Sequence, residues 1–303
     1  MRRTQNAATL KRTWLRAHAP ERLLGAVLAL VSWPKVSHSA EATPAGPRPV
    51  EGIMDNSFLV EEAYNQEAGV VQHIFNAFYG WDRQAGPDDK SWTLAFTQEW
   101  PLGSQRHQFS YTVPYNFADS GGQSQNGFGD MLMNYRYQAY FDEQHLRAFA
   151  PRLSLVLPTG DGDRGFGEDT VGLQSNLPFS SAWGDRWSTH FNAGLTWLPD
   201  AASTSGSDSW NYHLGASVIY AASRDVNYLV EWVGIWEQVS ASGGGLKHEF
   251  PSVISPGVRR AFNFANETQL VLGVAAPIGL TGSAPDYGVF LYLSFEHFFL
   301  KRK

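Results

Sequence analysis

After residue 69, hydrophobic and polar positions alternate with a period of two, the signature of strands with one apolar and one polar face. In SWTLAFTQEW, Trp92, Leu94, Phe96 and Trp100 share one face, with Gln98 the single exception, and Ser91, Thr93, Ala95, Thr97 and Glu99 share the other. QFSYTVPYNF sets Phe109, Tyr111, Val113, Tyr115 and Phe117 against Gln108, Ser110, Thr112, Pro114 and Asn116. DMLMNYRYQA and RWSTHFNAGLTWL repeat the division. Twelve such segments are read, near 70–82, 90–101, 107–117, 129–140, 146–158, 169–180, 186–198, 210–221, 226–239, 250–262, 267–277 and 286–299. Each is long enough to cross the hydrocarbon layer as a tilted strand, which takes about 9–11 residues.

The connections alternate as well. LGSQR, FDEQH, SAWGD, ASRD and NFAN are short; RQAGPDD, ADSGGQSQNGFG, PTGDGDRGFGED, PDAASTSGSDS, SASGGGLKHE and IGLTGSAP are longer and rich in Gly, Ser and Asp. Short turns at one end, long loops at the other and an even strand count are the features of outer-membrane barrels. The predicted fold is therefore all-β, a transmembrane up-and-down antiparallel barrel of about 12 strands. Tryptophans 81, 92, 100, 183, 187, 197, 210 and 236 fall near predicted strand ends, where interfacial aromatic girdles belong. A soluble sandwich would not need bulky aromatics on the same phase of so many long strands.

Composition refines this picture. The first 42 residues, a basic stretch followed by the apolar run LLGAVLALV and the small-residue site AEA, read as a secretory signal peptide. No later stretch reaches the roughly 18 consecutive apolar residues of a membrane helix. The division predicted is 1–42 signal peptide, 43–69 N-terminal periplasmic or lumenal segment, and 70–303 outer-membrane barrel of a Gram-negative bacterium. The chain carries 23 Lys and Arg against 29 Asp and Glu, of which the first 42 residues hold seven and two, leaving 16 against 27. Such an acidic chain is a poor partner for nucleic acid. With no cysteine, disulfides and thiolate metal sites are excluded. The last strand, YGVFLYLSFEHFF, ends on Phe298 and Phe299, similar to the C-terminal signal read by the barrel assembly machinery, although LKRK follows.

The segments DNSFLVEEAYNQEAGVVQHIFNAF, QEWPLGSQRHQFSYTVPYNF, GFGDMLMNYRYQ, PRLSLVLPTGD and SPGVRRAF, in that order, resemble the outer-membrane proteins labelled as transporters of the MetA pathway of phenol degradation. The similarity covers most of residues 52–299. It implies a barrel that passes small compounds across the outer membrane, with aromatic ones as candidates, and brings no catalytic residues with it. The implied surroundings are outer-membrane lipids, lipopolysaccharide and a small-molecule solute.

Ionisable residues on the polar phase are the candidates for lumen-lining or binding roles: Glu99, Arg136, Arg152, Glu231, Glu237, Arg259 and Glu296. A charge facing lipid costs a few kcal/mol, so these must be wet or paired inside. Two readings stay open, a pore that selects by charge and a lumen filled by Arg–Glu pairs. Ahead of the first strand, DNSFLVEEAYNQEAG gathers Glu61, Glu62 and Glu67. It folds into the lumen with Glu61 or Glu62 facing Arg136 and Arg152, or it is a solvated lead-in; the spacing of Phe58, Leu59, Ala63 and Tyr64 allows a turn or two of helix. The loop PTGDGDRGFGED offers hard oxygen donors without the spacing of a calcium hand. A phospholipase-type barrel enzyme would draw on Ser188, Ser217, His190 and His213, but no third group for a triad is evident. An adhesion barrel acting through its loops is the remaining alternative. No cofactor, metal site or catalytic residue is predicted.

Overall fold

The computed structural model describes residues 57–83, 88–241, 245–265 and 268–299. The predicted signal peptide, residues 43–56 and the tail 300–303 lie outside them. The described chain is mainly strand, arranged as twelve antiparallel staves: β1 (Val70–Asp82), β2 (Asp89–Leu102), β3 (Ser104–Ser120), β4 (Gln123–Phe128, Met131–Tyr137 and Tyr140–Asp142), β5 (Arg147–Phe149 and Arg152–Leu157), β6 (Gly172–Asn176 and Phe179–Trp183), β7 (Trp187–Ala201), β8 (Ser207–Ala221), β9 (Val226–Ser240), β10 (Leu246–Glu249 and Ser252–Asn263), β11 (Gln269–Ala275 and Ile278–Gly279) and β12 (Tyr287–Phe298). Each stave pairs with its neighbours in sequence. β12 closes on β1, with Val70 opposite Phe298, Phe78 opposite Phe290 and Trp81 opposite Tyr287. Closure of β12 on β1 removes the open edges that the wall would otherwise present unpaired to lipid.

The two phases face as predicted. Phe75, Leu94, Phe191, Val218, Leu272 and Leu291 are exposed on the outside, while Gln72, Ser110, Asn134, Ser154, Asn192 and Ser294 are buried inside. A water-soluble core has the reverse arrangement. Aromatic pairs mark both ends of the wall. Tyr79–Trp92 (4.9 Å), Trp197–Trp210 (5.8 Å) and Trp236–Phe250 (4.3 Å) stand toward the long-loop end. Trp100–Phe109 (5.2 Å) and Trp187–Tyr220 (4.9 Å) stand toward the short-turn end.

Several staves are broken where continuous strands were expected, and the breaks have a cause. Pro151, Pro178, Pro251 and Pro277 each occupy a gap within a stave; proline has no N–H to give the ladder. Their carbonyls still accept, as in Tyr137 N–H to Pro151 (3.0 Å) and Ala150 N–H to Pro178 (3.2 Å). The gaps at 138–139, 150–151 and 177–178 lie side by side, because Arg136 pairs with Arg152 and Arg152 with Asn176. They form one crease across β4, β5 and β6 near the short-turn end.

Two loop expectations are corrected. ADSGGQSQNGFG is strand rather than loop: β3 and β4 run on past the other staves to a two-residue turn at Gly121 and Gly122, whose φ values of 59° and 78° suit glycine. Likewise Leu246–Glu249 pairs with the end of β9. The acidic loop 158–169 is ordered by two carboxylates, Asp169 of its own and Asp130 from the break within β4. Asp130 accepts from the N–H groups of Gly160 (2.9 Å) and Glu168 (3.1 Å), and Asp169 from Gly162 (3.1 Å). Among the described residues no group of three or more His, Cys, Asp and Glu could hold a metal ion.

Candidate functional site

Residues 57–66 lie inside the barrel, nearer the short-turn end, and run around the inner wall. No helix forms there, contrary to the spacing of Phe58, Leu59, Ala63 and Tyr64. The reason is competition for the backbone: the N–H groups that a helix would turn on itself are taken by side chains of the wall. Glu61 N–H donates to Asn192 Oδ1 (2.8 Å), Ala63 N–H to Ser180 Oγ (2.8 Å), Asn65 N–H to Gln138 Oε1 (3.0 Å) and Gln66 N–H to Gln108 Oε1 (2.7 Å). Ser57 Oγ is 2.8 Å from Ser217 Oγ. Ten extended residues span about 33 Å, so this belt touches the wall from β3 around to β12.

Three charged residues hold the belt. Glu231 on β9, fully buried, accepts from the N–H groups of Phe58 (3.1 Å), Leu59 (3.0 Å) and Val60 (3.0 Å). Successive amides converging on one carboxylate form an anion nest. Arg136 on β4 is only 2% exposed and is spent on the belt. Its guanidinium donates to Asn65 Oδ1 (2.8 Å), Glu61 Oε1 (3.0 Å) and the carbonyls of Glu62 (3.1 Å) and Tyr64 (2.7 Å). Arg152 on β5 donates through Nε to the second oxygen of Glu61 (2.9 Å). Asn176 also donates to that oxygen (2.7 Å). Burial alone would push the Glu61 carboxyl up; Arg152 and Arg136 beside it, with the bonds from Asn176 and Arg152, bring it down to about 2.

The first residues of the belt rest on glycine. Phe58 stacks against Phe290 and Tyr292 at 5.5 and 5.4 Å. On its other side a Cβ at Gly273 would fall 2.4 Å from the Phe58 ring, and one at Gly257 2.7 Å away. No real side chain fits, so the pair of glycines shapes a socket for this ring.

The sequence-derived candidates divide accordingly. Glu61, Arg136, Arg152 and Glu231 are brought together through the belt. Glu62 is buried, and its carbonyl accepts from Arg136. Glu99 accepts from Gln108 (2.8 Å) and lies 4.0 Å from Arg136. Arg259 is 2% exposed and inside the wall, and Glu296 is buried on β12 across from Gln72. Glu237 stands apart, at the long-loop end opposite Glu249. The neutral contributors Gln108, Gln138, Asn176, Ser180, Asn192 and Ser217 were not singled out for the belt. Their only sequence signal is their place on the polar phase. Of the serine and histidine candidates, His190 has its Nδ1 2.6 Å from the Oγ of Ser180, a serine that the sequence reading did not name. Both residues are buried beneath the belt, where Ser180 also accepts from Ala63.

Among solved structures, the chain is similar to an outer membrane channel from Pseudomonas putida F1, with a TM-score of 0.59 and 14% identity, covering 78% of this chain and 98% of that one. A weaker likeness, with a TM-score of 0.43 and 10% identity over 81% of this chain and 95% of the other, is to the transport unit of the autotransporter AIDA-I from Escherichia coli. No curated protein matches the sequence. The model of the family described as "Putative MetA-pathway of phenol degradation" matches residues 63–295, and the chain belongs to that family.

Proposed function

We propose that the protein is an outer-membrane channel for small solutes whose lumen is narrowed by its own N-terminal segment. The observation that carries this reading is the belt across a polar, water-compatible interior, fastened by Arg136, Arg152 and Glu231. The apolar outer face and paired aromatic girdles favour a place in the outer membrane among lipids and lipopolysaccharide, reached through a signal peptide and the barrel assembly machinery. The channel described from Pseudomonas putida F1 shares the fold, and the family's description points to small aromatic compounds as the solute class. Short-turn end and belt would then face the periplasm. Glu61, Glu62, Glu99, Arg136, Arg152, Glu231, Arg259 and Glu296 act as lumen-lining residues around the constriction. With the belt in place Ser180 and His190 serve as wall residues, not as catalytic groups.

The test is conductance in planar bilayers, comparing the intact protein with a variant lacking residues 57–66. The expected result is a larger and steadier conductance without the belt. Equal conductance in the two would remove the constriction, and none in either would remove the channel. Liposome swelling with phenols, aromatic acids and sugars would then rank the solutes.

A further inference from the structure

The outer face of the closing seam carries a histidine pair that plays no part in the lumen. His73 on β1 and His297 on β12 are both half-buried and lie two residues apart in register across the pairing of first strand with last, which chain connectivity does not enforce. Their Nε2 atoms are 3.4 Å apart, their ring planes differ by 22°, and their centroids are 5.5 Å apart. The two ring edges therefore point toward a common space rather than lying one over the other. Phe96 and Phe295 flank His73 at 6.3 Å each and restrict its rotation. His297 Nδ1 lies 3.3 Å from the Phe298 carbonyl. A proton on Nδ1 donated to that carbonyl leaves the His297 Nε2 lone pair facing His73.

The contact has the length of an N–H···N bond between the rings, and two ligands of one small cation share the same geometry. Two imidazole nitrogens at about 2.05 Å from a tetrahedral centre stand roughly 3.3 Å apart, close to the separation seen. Metal-binding histidines usually give their other ring N–H to a carbonyl or carboxylate, as His297 is placed to do. Imidazole favours zinc, copper and nickel over calcium and magnesium. Among the described residues no third His, Cys, Asp or Glu completes the group, so the protein would supply two ligands and water the rest. We infer that His73 and His297 bind a divalent cation of the zinc class and that the bound ion clips the first strand of the barrel to the last. The inference stands apart from the channel reading, since neither side chain faces the lumen.

The experiment uses the full-length barrel in detergent, with ZnCl2 as the probe. Isothermal titration is expected to find a site of one ion per barrel in the parent protein, lost in His73→Phe and in His297→Phe and retained when the exposed His145 or His248 is changed to Ala. Phenylalanine suits the aromatic surroundings, and His73→Gln serves as a second variant should either Phe change fail to fold. Zinc is also expected to raise the temperature at which the compact, unheated gel band is lost by a few degrees, reversibly with EDTA, in the parent but in neither seam variant. Zinc binding of equal stoichiometry in parent and seam variants, or none in the parent below about 1 mM, would overturn the inference.

Discussion

Glu61 is the place to test whether the belt is fastened as described. The perturbation is Glu61→Gln, which keeps the shape and removes the charge. In the parent, the carboxylate accepts from Arg136 (3.0 Å), Arg152 (2.9 Å) and Asn176 (2.7 Å), with its side chain 18% exposed. Bonds to a charged partner contribute about 1.5–3 kcal/mol each. The glutamine retains one acceptor, however, and neither arginine is stranded: Arg136 keeps Asn65 and the Tyr64 carbonyl, and Arg152 keeps Asn134 and Gln174. The full cost of a buried unpaired charge, about 3–5 kcal/mol, therefore does not apply, and the seat should weaken by about 2–3 kcal/mol. At 1.4 kcal/mol per decade, the released population rises about 30- to 140-fold. The assay follows from the absence of cysteine. Ser57, 1% exposed, becomes Ser57→Cys, the only thiol in the chain, and its reaction with a membrane-impermeant maleimide reports release. When reclosure is fast, that rate follows the open population. An increase of less than about threefold, with the folded gel mobility intact, would refute the assigned role of Glu61.

Other expectations follow from the same contacts. Gly273→Ala should expel the Phe58 ring, because its new methyl would lie 2.4 Å from that ring; maleimide labelling of the Ser57→Cys thiol should rise while the barrel's thermal unfolding changes little. Because the Glu61 pKa is held down at about 2 from an ordinary 4.5, its contribution is fully present above pH 4.5 and is lost as pH falls toward 2. Conductance should accordingly rise as pH falls below about 4.5, with that part of the rise absent in Glu61→Gln. Asp130→Ala removes the acceptor for Gly160 and Glu168; trypsin should then cut after the exposed Arg164 several times faster, with the overall strand content unchanged by circular dichroism.

Sequence periodicity made the wall legible because each strand has one neighbour type per face, lipid outside and water or peptide inside. Trp92, Leu94 and Phe96 could be assigned outward and Glu99 inward without knowing which strand lay beside them. Arg136 and Arg152 stood out because a charge within an aromatic strand needs a partner, and the acids just before β1 were the nearest unassigned supply. What stayed hidden depends on closure. That Asn192, Ser180 and Gln138 each meet a particular amide of the belt is fixed only when β3 through β12 surround it. Gly257 and Gly273 look like ordinary strand glycines until Phe58 is set against them. The turn or two of helix that the spacing of Phe58, Leu59, Ala63 and Tyr64 allowed does not form, because local periodicity takes no account of wall side chains competing for the same N–H groups. Prolines 151, 178, 251 and 277 were visible throughout, but that the gaps at Pro151 and Pro178 line up into one crease needed the register of neighbouring staves.

The belt also imposes an order of events on biogenesis. Residues 57–66 leave the ribosome before any strand, yet Ser57 meets Ser217 across 160 positions, and Phe58 meets Glu231 across 173. Contacts of such long sequence separation form late. The complete seat does not exist until β12 has joined β1, so the earliest part of the described chain to be synthesised must wait for the last. Until then it remains an unsatisfied, acid-bearing segment, and its capture marks a closed wall.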